Sequence, residues 1–259
     1  MSGHSKWSQI KRQKGAADVK RGAVFSKLTN TIILAAKKGS DPNSNFTLKM
    51  AIEKARSANM PKENIDRAVK RGTGELGEQS IEEFLFEALG PSNIGILVEG
   101  ATDNKNRTIS EIRGILNKYR GKLAGSGAVT YMFDRMGKII IGLSGKNRED
   151  IELKIIDSGV QDYQDEQDVL VSYTDPAKLE KIKEILEEEN LEVKEAGLSW
   201  EPKNTIEISQ EAGQKILNLL EELENIDGVT GVYPNFDIST NLDINIKNPS
   251  NDLRAKETP

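Results

Sequence analysis

The residue types that most often perform catalysis are scarce in this chain of 259 residues. It contains no cysteine and a single histidine, His4, so disulfides, thiolate metal sites and a cysteine nucleophile are excluded. His4 has no second histidine or cysteine with which to share a metal ion, and a hydrogen bond or a nucleic-acid contact is its favoured role. We therefore predict no catalytic residue, no metal site and no cofactor. An enzyme with its site in a cavity between domains is a distant alternative.

Two further patterns resemble binding sites only in part. The glycine-rich segment at 121–127 lacks the order of glycine, lysine and hydroxyl residues that defines a phosphate loop. It also follows a predicted helix and precedes a predicted strand, the reverse of what a phosphate loop requires, so we interpret it as a connection. The acidic runs at 162–168 and 187–189 are typical of solvated surface, with cation binding at the first run as an alternative. Neither pattern predicts a small-molecule substrate.

The strongest chemical signal is an uneven distribution of charge along the chain. Residues 1–75 contain 16 Lys and Arg against 6 Asp and Glu, whereas the remainder contains 20 against 35. The formal net charge of −5 therefore hides a basic segment in front of an acidic body. Such a segment favours a partner of dense negative charge, most often nucleic acid, although a solvated helical surface is the alternative.

Two groups of residues are candidates for contacting nucleic acid. The first is the basic arm (residues 1–21), whose cations can neutralise phosphates and whose Trp7 could stack on a base or instead pack on a helical bundle. The second is the sequence TDNKNR at 102–107, where Thr and Asx side chains cap a helix and two cations could contact a nucleic-acid backbone. The predicted nucleic-acid-binding residues are Lys6, Trp7, Lys11, Arg12, Lys14, Lys20, Arg21, Lys105 and Arg107. Because no base-reading helix is evident, we expect recognition of shape or backbone.

The arm precedes a region in which apolar residues recur at helical spacing. A first helix is predicted from Asp18 to Gly39, a second at 46–58, and a short third one from Pro61 to Gly72. Turn-forming residues at 40–45 separate the first two helices. We expect residues 1–78 to form a small helical bundle that carries the basic arm.

Beyond this bundle the pattern changes to strands that alternate with helices. The strands are predicted at 94–100, 128–133, 138–143, 159–163, 169–173, 191–195, 198–208 and 229–238, with helices at 108–119, 149–157, 176–189 and 210–223. The middle elements form a βαββαβ set, which is the order of a ferredoxin-like fold. The outer elements complete a second such set if the middle domain is inserted into the outer one.

The predicted fold class is therefore α+β with three domains. They are the basic arm and bundle at 1–78, a discontinuous outer domain at 79–135 and 196–238, and an inserted domain at 136–195, followed by a polar tail at 239–259. Two consecutive domains are the alternative topology. No apolar run approaches the roughly 18 residues of a membrane span and no signal-peptide pattern is evident, so we expect a cytoplasmic protein without a membrane partner.

Several short motifs are shared with one known family. In the N-terminal region they are Gly3-His4-Ser5-Lys6-Trp7, Asp18-x-x-Arg21 with Phe25-x-Lys27, Asp41-Pro42 with Asn45, and Asn59-Met60-Pro61 with Asn64-Ile65 and Arg67-Ala68. Further on they are Val98-Glu99, Thr102-Asp103-Asn104-x-x-Arg107 and Val232-Tyr233-x-Asn235-Phe236-Asp237. Through these motifs the chain resembles the YebC/PmpR family, which includes the mitochondrial translational activator of cytochrome oxidase subunit one. The resemblance covers residues 2 to about 238, and its first motif is highly specific.

The resemblance implies a helical domain and two α/β domains around a cavity. It also implies a non-enzymatic regulatory factor. Such a factor is either a DNA-binding transcriptional regulator or a ribosome-associated translation factor that binds ribosomal RNA and eases synthesis of proline-rich stretches. The chain departs from the family pattern at 86–91, FEALGP, and at 158–162, SGVQD. The residues themselves do not select between DNA and ribosomal RNA as the partner.

Overall fold

A computed structural model describes Trp7 and residues 21–77, 81–143, 145, 147–166 and 168–238. Its first helices are α1 (Arg21–Ala36), α2 (Phe46–Ser57) and α3 (Lys62–Gly72). Each buries one apolar stripe, because its aliphatic residues recur at three- and four-residue spacing. The three helices pack on one another around Ile32, Leu48 and Ala68, so the predicted helical bundle is confirmed within the described residues.

Two residues fix how the helices of the bundle meet. The buried side chain of Asn45 accepts a hydrogen bond from the Leu48 N–H at 3.1 Å, which caps α2. Its Nδ2 also donates to the carbonyl oxygens of Ala35 and Gly39, at 2.8 and 2.7 Å, which joins the end of α1 to the start of α2. At Gly72 a Cβ would lie 2.5 Å from the Ile33 carbonyl oxygen, so only glycine permits α3 to cross α1 this closely.

The rest of the described chain alternates strands and helices. The strands are β1 (Glu82–Leu89), β2 (Gly95–Thr102), β3 (Lys122–Leu123), β4 (Phe133–Gly142), β5 (Asp162–Glu166), β6 (Val169–Thr174), β7 (Glu192–Pro202), β8 (Ile206–Ile208), β9 (Val229–Pro234) and β10 (Phe236–Ile238). The helices are α4 (Lys105–Lys118), α5 (Arg148–Asp157), α6 (Leu179–Glu188) and α7 (Gln210–Glu224). Both four-stranded sheets are antiparallel, and helices lie between their strands in the sequence. The predicted α+β class is therefore confirmed.

The first sheet has the strand order β3-β1-β2-β9. Its central strand β2 is buried along nearly its whole length, as expected for the apolar sequence GILVEGAT. Helices α4 and α7 cover one face, where Ile112 and Leu116 meet Ile216 and Leu220 in a single core. The short strands β8 and β10 pair in parallel in a separate two-stranded sheet.

The second sheet has the strand order β5-β6-β4-β7 and is antiparallel throughout. With helices α5 and α6 it forms the βαββαβ arrangement of a ferredoxin-like fold. The chain leaves the first sheet after β3, forms the whole second sheet, and returns to the first sheet with β9. We propose that the two sheets belong to the outer and inserted domains predicted from the sequence.

Several predicted strands differ from the observed ones. The strand predicted at 128–133 is not formed before Phe133, because the Val129 and Thr130 amides bind a side chain instead of a neighbouring strand. The strand predicted at 138–143 begins earlier, at Phe133, as β4. The strand predicted at 198–208 is divided between β7 in the second sheet and β8, and β7 extends to Pro202 because that residue pairs with Phe133. Strand β1, EEFLFEAL, was not predicted, since Glu, Leu and Ala favour helices and only its sheet partners make it extended.

The bundle contacts both sheets. Helix α1 packs on β2 and β9, and buried Ile81 and Ala101 join the bundle core. On the other side, α2 lies against the second sheet, where the Lys54 Nζ is 2.6 Å from the Glu195 Oε1. The buried Lys183 of α6 also pairs with Glu53 of α2 at 3.3 Å. The bundle is therefore held between two α/β units.

Candidate nucleic-acid interface

A cavity of about 300 Å³ lies between the helical bundle and the first sheet. One wall is a single side of α1, formed by Phe25, Ser26, Thr29 and Asn30, which recur at helical spacing. Because α1 begins at Arg21 in the described structure, the end of the basic arm lies about one helical turn from this wall.

The opposite wall carries the second group of predicted residues. It is formed by the end of β2 and the start of α4, and includes Thr102, Asp103 and Arg107. Arg71 of α3 and the turn at Asp227 complete the lining. The predicted motif at 102–107 therefore lines a cavity whose other wall belongs to α1, the helix that continues from the end of the basic arm.

The start of α4 is held by the side chains that the sequence indicated. The Asn104 Oδ1 accepts a hydrogen bond from the Arg107 N–H at 3.1 Å, so Asn104 is the N-cap. The Thr102 hydroxyl oxygen accepts from the Asn104 N–H at 3.0 Å and from the Thr108 hydroxyl at 2.9 Å. The predicted cap is confirmed, and it fixes the backbone from which Arg107 projects.

The two cations of this turn have different surroundings. Arg107 lines the cavity and pairs with Asp103 at 2.9 Å, although its side chain is about half exposed and the pair adds little stability. Lys105 is exposed and lies with its Nζ 5.9 Å from the centroid of the Phe86 ring, away from the cavity lining. Arg107 is thus the cation of this pair that could act within the cavity, while Lys105 faces solvent beside it.

Trp7 lies inside the protein. Its side chain is buried among residues of the first-sheet core, and its Nε1 donates to the Glu224 Oε1 of α7 at 3.2 Å. The structure therefore favours packing over base stacking for Trp7, but the surface it packs on is the first sheet with α7 and not the helical bundle. We infer that Trp7 anchors the arm to the α/β unit.

The other arm cations stay predictions. Lys6, Lys11, Arg12, Lys14 and Lys20 lie outside the described residues, as do His4 and the polar tail. Arg21 is known only as the first residue of α1. Of the nine predicted residues, the structure locates the side chains of Trp7, Lys105 and Arg107.

A second polar cluster, which the sequence did not predict, joins the two sheets. The Glu99 carboxylate of β2 accepts hydrogen bonds from Arg135 at 2.8 Å, from the Trp200 Nε1 at 3.1 Å and from the Tyr233 hydroxyl. Arg135 and Trp200 belong to the second sheet, whereas Glu99 and Tyr233 belong to the first. Burial, and then the nearby Glu99 carboxylate, raise the pKa of Tyr233 well above its ordinary value, so its hydroxyl remains a donor.

The signal for this cluster was present in the sequence. Glu99 stands alone within the apolar strand GILVEGAT, and a carboxylate in such a strand needs partners. Those partners come from strands more than thirty residues away, so the sequence could indicate the need but not the groups. Since all three donors converge on one carboxylate, the arrangement is typical of a structural junction.

Replacing Glu99 by glutamine should weaken this junction. A glutamine side chain at this position retains one acceptor oxygen but loses the negative charge that pairs with Arg135, so we expect the free energy of unfolding to fall by about 1–2 kcal/mol. Urea denaturation monitored by circular dichroism measures the change. The matched control is Glu83→Gln, at an exposed position of β1. Equal losses in both variants would show that the junction contributes nothing specific.

The end of the glycine-rich segment at 121–127, together with the turn that follows it, binds a carboxylate of the protein itself. The carboxylate of Glu87 in β1 accepts hydrogen bonds from the backbone amides of Gly127, Val129 and Thr130, at 2.6, 2.5 and 2.8 Å. The loop is therefore built around an internal carboxylate, which agrees with its interpretation as a connection.

This arrangement predicts a pH-dependent stability. Burial opposes ionisation of Glu87, but the three amides outweigh it and hold its pKa below the ordinary value of 4.5. The folded state therefore gains stability from the ionised form above about pH 4.5, and loses it as the pH falls through the lowered pKa. Glu87→Gln should cost about 1–3 kcal/mol at pH 7, because glutamine presents one acceptor and an unwanted donor to these amides.

Thermal unfolding of both proteins between pH 7 and pH 3 measures this effect. The difference in unfolding midpoint between the wild type and Glu87→Gln should be constant above pH 5 and shrink below it. The difference between the wild type and the exposed variant Glu83→Gln should show no such trend. A difference that stays unchanged down to pH 3 would contradict the assignment.

Comparison with known proteins gives the family of the chain. Residues 5–75 match the TACO1/YebC protein N-terminal domain, and residues 81–236 match the TACO1/YebC second and third domain. Together the two matches cover most of the chain, which therefore belongs to the TACO1/YebC family.

Individual relatives agree with this assignment. A probable transcriptional regulatory protein of Thermoanaerobacter pseudethanolicus is 45% identical over 245 residues, which is 94% of this chain and 100% of that protein. A protein with the same description from Caldanaerobacter subterraneus is 43% identical over 92% of this chain and 99% of its own length. The crystal structure of a conserved hypothetical protein from Aquifex aeolicus is similar with a TM-score of 0.85 and 40% identity, over 92% of this chain and 99% of that one.

One further observation concerns membranes. Within the described part of the chain, no helix is long and apolar enough to cross a bilayer.

Proposed function

We propose that this protein is a non-enzymatic transcriptional regulator that binds duplex DNA through its basic arm and helical bundle. The observation that carries the proposal is the charge of residues 1–75, where 16 Lys and Arg stand against 6 Asp and Glu. The names of the relatives, which call them probable transcriptional regulatory proteins, support the same conclusion.

The described bundle can supply part of the contact. Helix α3 exposes Lys62, Arg67 and Lys70, and the end of α1 is followed by exposed Lys37 and Lys38. Cations of this kind bind the sugar-phosphate backbone by releasing its counterions, so they orient a protein on DNA without reading bases. We therefore expect affinity to come from the bundle and arm, while specificity comes from a smaller site.

Competition binding tests the proposal. The full chain is incubated with labelled promoter fragments from its own genome in the presence of a large excess of unrelated duplex DNA, and retained complexes are sequenced. Defined promoter fragments should remain bound, because specific binding exceeds nonspecific binding by about a thousandfold or more. If any polyanion added as competitor displaces all of the bound promoter fragments, that result would count against a transcriptional regulator. Co-sedimentation with ribosomes at physiological salt would favour the ribosomal-RNA alternative instead.

A further inference from the structure

We propose that the cavity between α1 and α4 is a site for one guanine base. The cavity has a volume of about 300 Å³, at the lower end of the range for small-molecule sites, which suits a single nucleobase. Its rim includes the exposed residues Ser26, Asp103 and Asp227, so it opens to solvent and a ligand can enter. It is lined by both apolar and charged residues. Apolar groups can contact the face of a base, and charged groups can bind the polar atoms at its edges.

The apolar groups suit the face of the base. Phe25 is half-buried in the wall formed by α1, and the buried Ile81 and Ala101 lie in the same lining. Aromatic side chains in such positions stack on bases, which stabilises a bound base by about 1–3 kcal/mol. This wall therefore accounts for binding of a flat ring without selecting which base it is.

The charged groups suit the edges of guanine. Guanine presents two adjacent acceptors, O6 and N7, which a guanidinium binds in pairs. It also presents two adjacent donors, N1–H and N2–H, which match the two oxygens of a carboxylate. The lining includes Arg71 and Asp227, and an arginine has five N–H donors, so it can bind more than one partner at once.

Other bases match this pair of groups less well. Adenine presents an acceptor, N1, beside its N6 donor, so a carboxylate there would face a lone pair. Thymine places its one N–H between two carbonyl oxygens, and cytosine presents one amino group beside acceptors. Arg107 and Asp103 pair with one another on a single wall of the cavity, so their charges offset each other and we assign this selection to Arg71 and Asp227.

The guanine could belong to an unpaired position of a nucleic-acid strand or to a free nucleotide. The strand is favoured by position, because the wall formed by Phe25 and Asn30 begins about one turn after the basic arm reaches α1. The source of the guanine thus rests on the proposed DNA-binding function, whereas the guanine site itself does not. The two sources are separated by two kinds of probe.

The first probe is guanosine monophosphate, titrated into the full chain by calorimetry and compared with adenosine monophosphate. The second is a set of labelled DNA duplexes that carry one bulged guanine, one bulged adenine or no bulge. We expect the guanine form of at least one probe to bind about tenfold more tightly than its adenine form, the discrimination that one good pair of hydrogen bonds provides.

Two substitutions and a matched control identify the site. Phe25→Leu keeps the apolar volume but removes the ring, and Asp227→Asn keeps the shape but replaces one acceptor oxygen by a donor. Asp227→Asn should abolish the guanine preference, whereas Phe25→Leu should weaken binding of the guanine and adenine forms alike. In both variants the thermal unfolding midpoint should stay close to that of the wild type. The control Asp157→Asn makes the same chemical change at an exposed position of α5, far along the chain from the cavity, and should keep the preference.

The outcomes separate this inference from the proposed function. DNA binding without any guanine preference, or a preference that survives Asp227→Asn, overturns the guanine site and leaves the proposed function standing. Binding of guanosine monophosphate without binding of any DNA supports the site with a free nucleotide as its ligand, and counts against the proposed function. A preference for the bulged guanine that Asp227→Asn removes, with weaker binding of both bulged forms in Phe25→Leu, supports the site on a DNA strand.

Discussion

Neutralising Lys11, Arg12 and Lys14 together as glutamines should weaken binding to a short DNA duplex about a hundredfold at physiological salt. Each phosphate contact contributes about −0.9 to the slope of log K against log salt concentration, so three lost contacts should reduce that slope by about 2.7. Fluorescence anisotropy at several salt concentrations measures both quantities. The two should change together, because the effect comes from counterion release and not from lost base contacts.

The matched control removes three cations elsewhere. Lys178, Lys181 and Lys194 are exposed on the second sheet and its helices, and their replacement by glutamine changes the net charge by the same amount. If the arm binds DNA, this control should lower the affinity only slightly, through the general field of the protein. Equal losses in the two triple variants would show that overall charge, not the arm, determines binding.

Trp7→Ala should lower the free energy of unfolding by about 3 kcal/mol. The indole is buried in the core of the first sheet and donates to Glu224, so truncation removes a large apolar contact together with a hydrogen bond. Trp7→Phe keeps most of the apolar contact and should cost only about 1 kcal/mol, close to the hydrogen bond alone. Urea denaturation followed by circular dichroism measures both.

An exposed aromatic residue gives the comparison for this experiment. Tyr131 is 65% exposed, so Tyr131→Ala should leave the unfolding midpoint nearly unchanged. A midpoint for Trp7→Ala as high as that of Tyr131→Ala would mean that the indole does not stabilise the core. Because Trp7 anchors the arm, Trp7→Ala should also reduce DNA affinity, whereas Tyr131→Ala should not.

The parts of the structure that follow from local pattern were predictable. Helical spacing of apolar residues indicated the bundle and α4, and the Asx and Thr residues before α4 indicated the cap that Asn104 makes. Strand β1 was missed because its residues favour a helix, and it is extended only through pairing with β2 and β3. A single sequence does not report such pairing.

In the candidate site, too, local features were predictable from the sequence, whereas contacts between distant residues were not. The motif at 102–107 could be recognised as a helix start with two cations, but its meeting with Phe25 and Arg71 depends on how the bundle packs on the first sheet. Trp7 was assigned to either a base or the bundle, whereas its partner Glu224 lies 217 residues further along the chain. The Glu87 carboxylate, which binds the end of the glycine-rich segment, likewise lies 40 residues before Gly127.

The two tryptophans of the chain give it two internal optical reporters. Trp7 donates its indole N–H to Glu224, where the arm joins the first sheet, and Trp200 donates to Glu99, where the two sheets meet. An indole that moves from protein into water emits at longer wavelength, so each joint has its own fluorescence signal. In Trp200→Phe the only remaining tryptophan is Trp7, so its emission reports on the arm anchor. In Trp7→Phe the only remaining tryptophan is Trp200, so its emission reports on the sheet junction. The environment of each joint can thus be followed independently when DNA is added, without an attached dye.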